Sequence, residues 1–170
     1  MLTVLLVTAA LADATAEAPG CPERLAALLD RPAAVLDSGR EAAARAFGEP
    51  NLEAVEVLAE TPGERHLKVR FRLFFDQARA TFAQSAAGGA ERLEELDLST
   101  PLAELTLPVP FGASELELVE RFGEAARVEL PAAFERRLVY ECERGRRPET
   151  VAFRFADGAL AAVEWRLAAD

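Results

Sequence analysis

An Asp-Gly dipeptide between two alternating runs constrains the fold of this chain more than any other feature. Asp157 and Gly158 separate Thr150–Ala156 from a final run of similar pattern, and each run is apolar at every second position. The apolar positions are Val151, Phe153, Phe155, Val163, Trp165 and Leu167. Asp-Gly is favoured in the two-residue type I′ turns that join antiparallel strands. We therefore predict a hairpin with one apolar face, as in an antiparallel sheet that helices cover on one side.

A capping box predicts a short helix upstream of this hairpin. The Ser114 hydroxyl can accept a hydrogen bond from the N–H of Glu117, whose carboxylate can reach back to the N–H of Ser114. Apolar residues follow at helical spacing, at Leu116, Val119 and Phe122. Gly123 is suited to close the helix in the left-handed conformation. A third alternating run, Arg137–Glu143, lies before the hairpin, so the predicted order is one helix and three strands.

The same order recurs more weakly in the first half of the chain. Ser38 and Glu41 form a second candidate capping box, and Gly48 ends the helix that follows it. Strands are predicted over Leu52–Glu60, over Arg65–Phe75 and through Phe82. The tripeptide Phe-Gly-Glu ends both helices, although the alignment of the two halves slips by one residue further on. We interpret the pattern as an internal duplication; coincidence between two amphipathic segments is the alternative.

Two further helices and a linker complete the predicted organisation. A helix is predicted from Cys21 to Leu29, stopping before Pro32, and another over Glu91–Leu98, because Glu-Arg-Leu recurs in both segments. A pair of glycines marks a linker over 86–90. The chain is therefore predicted to be α+β, with one αβ repeat over 21–85 and another over 91–170. Each repeat is expected to pack short helices on one face of an antiparallel sheet of three to four strands.

Four short motifs resemble a known family. They are the helix start Gly112-Ala113-Ser114, the helix end Phe122-Gly123-Glu124, the hairpin Phe155–Gly158 and the strand Val163-Glu164-Trp165-Arg166. Together they resemble the SmpA/OmlA family, the BamE-type outer-membrane lipoproteins, and also the β-lactamase inhibitory proteins (BLIP), which duplicate the same unit. The family's usual proline after Phe-Gly-Glu is Ala125 here. The resemblance implies a tandem αβ repeat that acts as a protein-interaction module of the bacterial envelope.

The first residues have the composition of an export signal. Met1–Ala12 is an uncharged apolar run that ends in Ala-Leu-Ala, a site suited to signal-peptidase cleavage before Asp13. The run is shorter than the roughly 20 apolar residues that a spanning helix needs. We predict a signal peptide over 1–12, a flexible mature N-terminus over 13–20, and a periplasmic or secreted protein. A buried N-terminal strand is the alternative, because Thr3, Val4 and Val7 are β-branched.

The chain has two cysteines, Cys21 and Cys142. Two cysteines in an exported chain favour a single disulfide, which would tie the N-terminal helix to a strand of the second half. The alternative is one buried thiol and one free or lipidated cysteine. Lipidation of Cys21 is disfavoured because Asp13 and Glu17 separate it from the apolar run. Membrane association is therefore expected only through a partner or through such a lipid.

The overall charge excludes some classes of partner. The net charge is −10, from 29 acidic and 19 basic residues. Binding to nucleic acid or to an anionic membrane surface needs basic residues that neutralise phosphate groups. The acidic balance therefore argues against both, and it leaves another protein as the expected macromolecular partner.

One strand nevertheless carries a row of cationic side chains opposite to its apolar positions. Its outward residues are His66, Lys68, Arg70 and Arg72, and its inward residues are Leu67, Val69, Phe71 and Leu73. If the sheets of both halves are open on that side, the same surface includes Val139, Arg154, Glu164 and Arg166. Arginine is favoured at protein interfaces, so we predict that this face binds a protein with an acidic patch. A solvated sheet face is the alternative.

No catalytic or metal-binding motif stands out in the sequence. It has no G-x-S-x-G, H-E-x-x-H, CxxC or phosphate loop, and His66 is its single histidine. We therefore expect neither an enzyme nor a cofactor or metal. An alternative function is a carrier or sensor of a small apolar ligand or lipid, held in a pocket between helices and sheet. The aromatic residues that could line such a pocket are Phe71, Phe82, Phe153, Phe155 and Trp165.

Overall fold

Alternating apolar residues build the strands, and short amphipathic stretches build the helices, of a mixed α+β fold. The computed structural model describes residues 21–59, 67–85, 88–103, 105–132, 135–144 and 147–168. Within these ranges the helices are α1 (Glu23–Val35), α2 (Arg40–Phe47) and α3 (Glu115–Phe122). The strands in the same ranges are β1 (Leu52–Ala59), β2 (Leu67–Phe74), β3 (Ala78–Ser85), β4 (Arg92–Leu98), β5 (Arg127–Glu129), β6 (Glu135–Arg144), β7 (Arg147–Ala156) and β8 (Ala159–Arg166).

One antiparallel sheet contains these strands, in the order β1-β2-β3-β4-β8-β7-β6-β5. β1 to β4 form one meander and β5 to β8 another, and the two meet where β4 pairs with β8. The predicted hairpin is confirmed, since Asp157 and Gly158 have φ angles of 50° and 80° and Ala156 pairs with Ala159. The sequence pattern predicts a separate sheet for each half, whereas the described strands form one continuous sheet.

The hydrophobic core lies between the helices and one face of the sheet. Its fully buried members come from all three helices and from both halves of the sheet, and they include Leu28, Ala43, Phe82, Leu118, Phe153 and Trp165. Among the inward residues of β2 whose burial the structure describes, Leu73 is buried as predicted, while Val69 and Phe71 are half-buried. Both residues belong to β2, which lies nearer the end of the sheet than β3, and α2 packs against β3.

The capping box of α3 is confirmed. The Ser114 Oγ accepts a hydrogen bond from the N–H of Glu117 at 3.3 Å, and a Glu117 carboxylate oxygen accepts from the N–H of Ser114 at 2.8 Å. The backbone hydrogen bond from Ser114, followed by that from its hydroxyl, lowers the pKa of Glu117. Gly123 ends the helix with a φ of 83°, and its carbonyl accepts a hydrogen bond from the Tyr140 hydroxyl at 3.0 Å.

The predicted stop of α1 before Pro32 is wrong. The helix runs on to Val35 with a buried Pro32 inside it. Proline has no N–H, so the carbonyl of Leu28 loses its helical partner. The indole Nε1–H of Trp165, on β8, donates to that carbonyl at 3.2 Å. A donor from the far end of the chain therefore lets the helix continue past its proline.

The second predicted capping box is also wrong. α2 begins at Arg40 with Gly39 as its N-cap, at a φ of 66°, and the Ser38 hydroxyl donates to Asp37 instead. The carboxylate of Glu91, which precedes β4, takes the place of the box. It accepts from the backbone N–H of Arg40 and from the Arg40 guanidinium, each at 2.8 Å. A tertiary contact thus caps this helix, and Glu41 has no part in it.

The helix predicted over Glu91–Leu98 is strand β4 in the structure. Leu93 and Leu96 are three residues apart, which is typical of a helix, but here a β-bulge sets the spacing. Phe82 pairs with Leu93 whereas the adjacent Thr81 pairs with Glu95, so Glu94 is an extra residue in β4. The bulge turns both leucines to the core while Glu94 and Glu95 lie on the other face.

The predicted disulfide is confirmed. Cys21 and Cys142 are bonded, with their Cα atoms 4.9 Å apart, and the bond joins the residue before the α1 N-cap to β6. The signal peptide predicted over 1–12, the N-terminus predicted over 13–20 and His66 lie outside the described residues. Within the described ranges, no helix is both long and apolar enough to cross a membrane. The division into repeats at 86–90 stays a prediction.

Candidate functional site: the open sheet face

The face of the sheet opposite to the helices, called here the open face, gathers the side chains predicted to form a binding surface. Strand registers place the following predicted residues on it: Lys68, Arg70 and Arg72 of β2, Val139 of β6, Arg154 of β7, and Glu164 and Arg166 of β8. β4 pairs with β8 in the middle of the sheet, so the two groups of residues share one surface. Whether that surface binds a protein stays a prediction.

The cationic row on β2 is paired with carboxylates. Lys68 Nζ and Arg70 Nε reach over β3 and donate to the two oxygens of Glu94 at 2.5 and 2.7 Å. Arg72 and Arg70 also lie 3.2 and 3.7 Å from a carboxylate oxygen of Glu56 on β1. The three members of the row that the structure describes are therefore neutralised by carboxylates and do not form a bare cationic surface. The acidic partners come from strands that flank β2 and β3 in the sheet, although they are remote in sequence.

Glu94 is the most deeply placed carboxylate of this network, with 9% of its side chain exposed. Burial alone would raise its pKa, but the hydrogen bonds from Lys68 and Arg70, together with their charges, outweigh burial and hold the pKa of Glu94 below its ordinary value. The small residues Thr81 and Ala83 of β3 are buried beneath these long side chains. Small residues in the middle strand leave room for ion pairs to span it.

The second half has the same arrangement. Arg137 of β6 reaches over β7 and lies 2.7 Å from an oxygen of Glu164 on β8, and it also pairs with Glu129 of β5. The residue of β7 opposite Glu164 is Ala152, which is 1% exposed. Burial would lower the pKa of Arg137, but Glu129 and Glu164 raise it on balance. Hydrogen bonds from Arg127 and then Arg137 lower the pKa of Glu129.

Arg166 joins the two networks where β4 meets β8. Its guanidinium lies 2.6 Å from Asp97, 3.6 Å from Glu95 and 3.7 Å from Glu164. Asp97 in turn pairs with Arg79 of β3. Ion pairs therefore link most of the width of the sheet, and basic and acidic side chains occur on the open face in similar numbers. The net charge of −10 is not concentrated on this face.

Arg154 differs from the other predicted cations, because it has no ion pair with any residue that the structure describes. It lies on β7 opposite Ala162 of β8 and Arg137 of β6, and it is partly exposed. Ala152 and Ala156 lie on either side of it along the strand. Three of its four neighbours on this face are therefore alanines and the fourth is Arg137, so a carboxylate brought by a partner could bind its guanidinium bidentately.

Sequence reasoning missed the carboxylates that organise the open face. Glu94, Glu95 and Asp97 all lie in the segment that the sequence pattern predicts as a helix. Arg137 was placed on a strand without a partner. An informative signal was available: charged residues at alternate positions of neighbouring strands, with small residues such as Ala152 and Ala83 in the strands between them.

The aromatic residues proposed to line a ligand pocket are mostly core. Phe82, Phe153, Phe155 and Trp165 are at most 1% exposed, and the Arg40 guanidinium covers the ring of Phe71 at 3.7 Å. Phe155 also borders a surface cleft of about 480 Å³, lined in part by Leu130 and Ala132. The carrier hypothesis stays a prediction, with this cleft as its candidate site. Among the described residues, no three His, Cys, Asp or Glu side chains are grouped so as to hold a metal ion.

No family model, no curated protein and no solved structure matches this chain. Its function is therefore inferred from the residues of the open face and from their arrangement.

Proposed function

We propose that this chain is an exported, non-enzymatic module that binds another protein through the open face of its sheet. The observation that carries the proposal is a continuous eight-stranded face that has its helices packed on the opposite side. Arginines that are already held by carboxylates lose little conformational entropy when a partner docks on them. The unpaired guanidinium of Arg154, near the centre of the second half, would bind an acidic residue of that partner.

We also propose that the two halves are copies of one αβ unit, similar to the BamE-type lipoproteins and to BLIP. The support is a shared construction rule on the open face. In each half a cation of the second strand crosses the third strand to reach a carboxylate of the fourth: Arg70 and Glu94 in one, Arg137 and Glu164 in the other. A small buried residue of the third strand lies beside each pair, Ala83 opposite Arg70 and Ala152 opposite Glu164. In this division β4 belongs to the first unit and not to the repeat predicted over 91–170, and the two meanders meet through equivalent strands, β4 and β8.

Export belongs to the same proposal. The bond between Cys21 and Cys142 is compatible with an oxidising compartment such as the periplasm or the extracellular space. N-terminal sequencing of the protein from its native host is expected to begin near Asp13 or Thr15. An intact Met1 on protein recovered from the cytoplasm would show that the chain is not exported.

A pair of photo-cross-linking variants tests the binding face. A photoreactive amino acid at Ala156, two residues from Arg154 on the open face, should capture a protein in intact envelopes, whereas one at the exposed Leu116 of α3 should not. Adding Arg154→Glu should remove the Ala156 adduct, and Arg45→Glu on the exposed side of α2 should leave it. Binding of the captured protein should weaken at high salt. Adducts only from Leu116, or adducts that Arg154→Glu does not change, would contradict the proposal.

A further inference from the structure

The strand at one end of the sheet, β1, has an edge that no described residue covers. All eight of its residues pair with β2 on one side, from Leu52 opposite Phe74 to Ala59 opposite Leu67. Its other side is the end of the sheet. Three of its large apolar side chains are exposed: Leu52 by 58%, Val55 by 59% and Val57 by 62%. A long, regular and apolar edge of this kind is a template for pairing with another strand.

The opposite end of the sheet is protected against such pairing. β5 has three residues, and two of them, Arg127 and Glu129, are charged and ion-paired with each other. Pro131 follows two residues after the strand, and proline cannot extend a ladder of hydrogen bonds. β1 also has two ion-paired charged residues, Glu53 and Glu56, and a proline two residues before its start, but it is eight residues long and contains no lysine, proline, glycine or bulge. Natural sheets normally protect their exposed edges, so the difference between β1 and β5 points to a use for β1.

We infer that β1 pairs with β1 of a second copy of this chain, antiparallel and about a two-fold axis through Val55. In this register Val55 lies opposite its own copy. The remaining pairs are Leu52 with Leu58, Glu53 with Val57, and Ala54 with Glu56. No two carboxylates lie directly opposite each other, and the leucines at the ends of the pairing meet. Moving the axis to Glu56 would set two Glu56 side chains face to face, which disfavours that register.

Local charge makes a second copy a fitting occupant of this edge. The two carboxylates of β1 are already neutralised, Glu53 by Arg40 at 2.7 Å and Glu56 by Arg72 and Arg70. The edge therefore presents mainly apolar surface and backbone groups, which a copy of itself complements. Residues paired in this register lie on the same face of the sheet, so the open faces of both copies would form one continuous surface.

The surface area that the pairing of two β1 strands buries sets the expected affinity of the dimer. A strand of eight residues is about 27 Å long, and pairing two such edges buries roughly 1,000 Å² in total, near the lower limit for a specific interface. The net charge of −10 on each copy adds long-range repulsion. The dimer is therefore weak and concentration-dependent, and added salt strengthens it by screening that repulsion. This salt dependence is opposite to the one expected for binding at the open face.

Sedimentation of the full chain over a concentration series tests the pairing. The average mass should rise from that of the 18.4 kDa chain towards twice that value, and it should rise further when salt is added. Val55→Lys places two cations opposite each other and should keep the protein monomeric at every concentration. Val128→Lys, at the exposed position of β5, is the matched control and should dimerise like the unaltered chain. Val55 is exposed, so an unchanged melting temperature will show that the variant is folded.

Single cysteine variants test the register. Val55→Cys should form an intermolecular disulfide under mild oxidation, because directly opposed residues bring their Cα atoms within the range that a disulfide needs. Glu56→Cys and Val57→Cys should cross-link at least about ten-fold more slowly, since their copies lie further apart in this register. Fast cross-linking at Glu56 or Val57 instead of Val55 would overturn the register. A chain that stays monomeric at all concentrations would overturn the proposal and leave the edge to a strand from elsewhere.

Discussion

The two halves of the molecule build similar elements by different means. In the second half, α3 is capped by Ser114 and Glu117 within its own first turn, and Asp157-Gly158 turns one strand directly into the next. In the first half, α2 is capped by Glu91, which lies 51 residues further along the chain. The second half is therefore completed by local contacts and the first half by distant ones.

The same contrast extends to α1. Its proline frees a carbonyl that Trp165 satisfies from 137 residues away, and the residue before its N-cap is bonded to Cys142 of the second half. α1 thus depends on the second half of the chain, whereas the local signals of α3 do not depend on α1. This asymmetry predicts that damage at the contacts between the halves will loosen α1 first.

The largest effect is expected from removal of the disulfide. Cys21→Ala with Cys142→Ala frees a loop whose ends are 121 residues apart. In the chain-entropy model the free energy of unfolding should fall by about 4–5 kcal/mol. Urea denaturation of the oxidised protein and of the double variant measures the difference. A change below about 1 kcal/mol would show that the link between α1 and β6 contributes little beyond the contacts around it.

The next effect concerns the indole that completes α1. Trp165→Phe keeps most of the buried ring but leaves the Leu28 carbonyl without a donor, so the free energy of unfolding should fall by about 2–4 kcal/mol. Pro32→Ala restores an N–H to the helix at the position that would normally bond to that carbonyl. Combining the two should therefore cost at least about 1 kcal/mol less than the sum of the single changes. Additive effects would show that the indole acts through packing alone.

A smaller and pH-dependent effect is expected at Glu94. Because its pKa is lowered in the folded protein, its contribution to stability is present above the pKa of an unfolded glutamate, about 4.3, and is lost as pH falls through the folded value. Glu94→Gln should reduce the free energy of unfolding by about 1–3 kcal/mol at pH 7, and the loss should shrink as the pH falls below the pKa of an unfolded glutamate. Glu56→Gln is the control, since its half-exposed pairs should contribute under about 1 kcal/mol.

The difference between the halves also explains which features the sequence can predict. The hairpin at Asp157, the box at Ser114 and the strands through Phe71 and Phe153 follow from neighbouring residues, and the structure has them where the pattern indicates. The helix predicted at Leu93 fails because one bulged residue changes the period of a strand from two to three. The predicted helix end before Pro32 is wrong because Trp165 donates a hydrogen bond to the carbonyl that the proline leaves unpaired. Local patterns contain no information about such distant partners.

The sequence predicts which side chains of β2 lie on the open face, but not which carboxylates pair with them. Alternation alone places Lys68, Arg70 and Arg72 on one side of β2, and the register confirms that placement. Their carboxylate partners depend on which strands are neighbours in the sheet. Glu94 becomes a partner only because β4 is a strand with a bulge, and a helix at the same position would have carried that carboxylate elsewhere.

The smallest effect is expected at Ser114 and Ser38, the two serines for which the sequence predicts similar capping boxes. Ser114→Ala removes the acceptor for the N–H of Glu117 and half of a formed capping box, so the free energy of unfolding should fall by about 1 kcal/mol. Ser38→Ala removes only a hydroxyl that donates to the exposed Asp37, and Glu91 still caps α2, so the change should stay below about 0.5 kcal/mol. Paired urea titrations of both variants measure the two values. Equal losses at the two serines would mean that α2, like α3, is capped by a serine at its own start. That result would contradict the contrast between local contacts in the second half and distant contacts in the first.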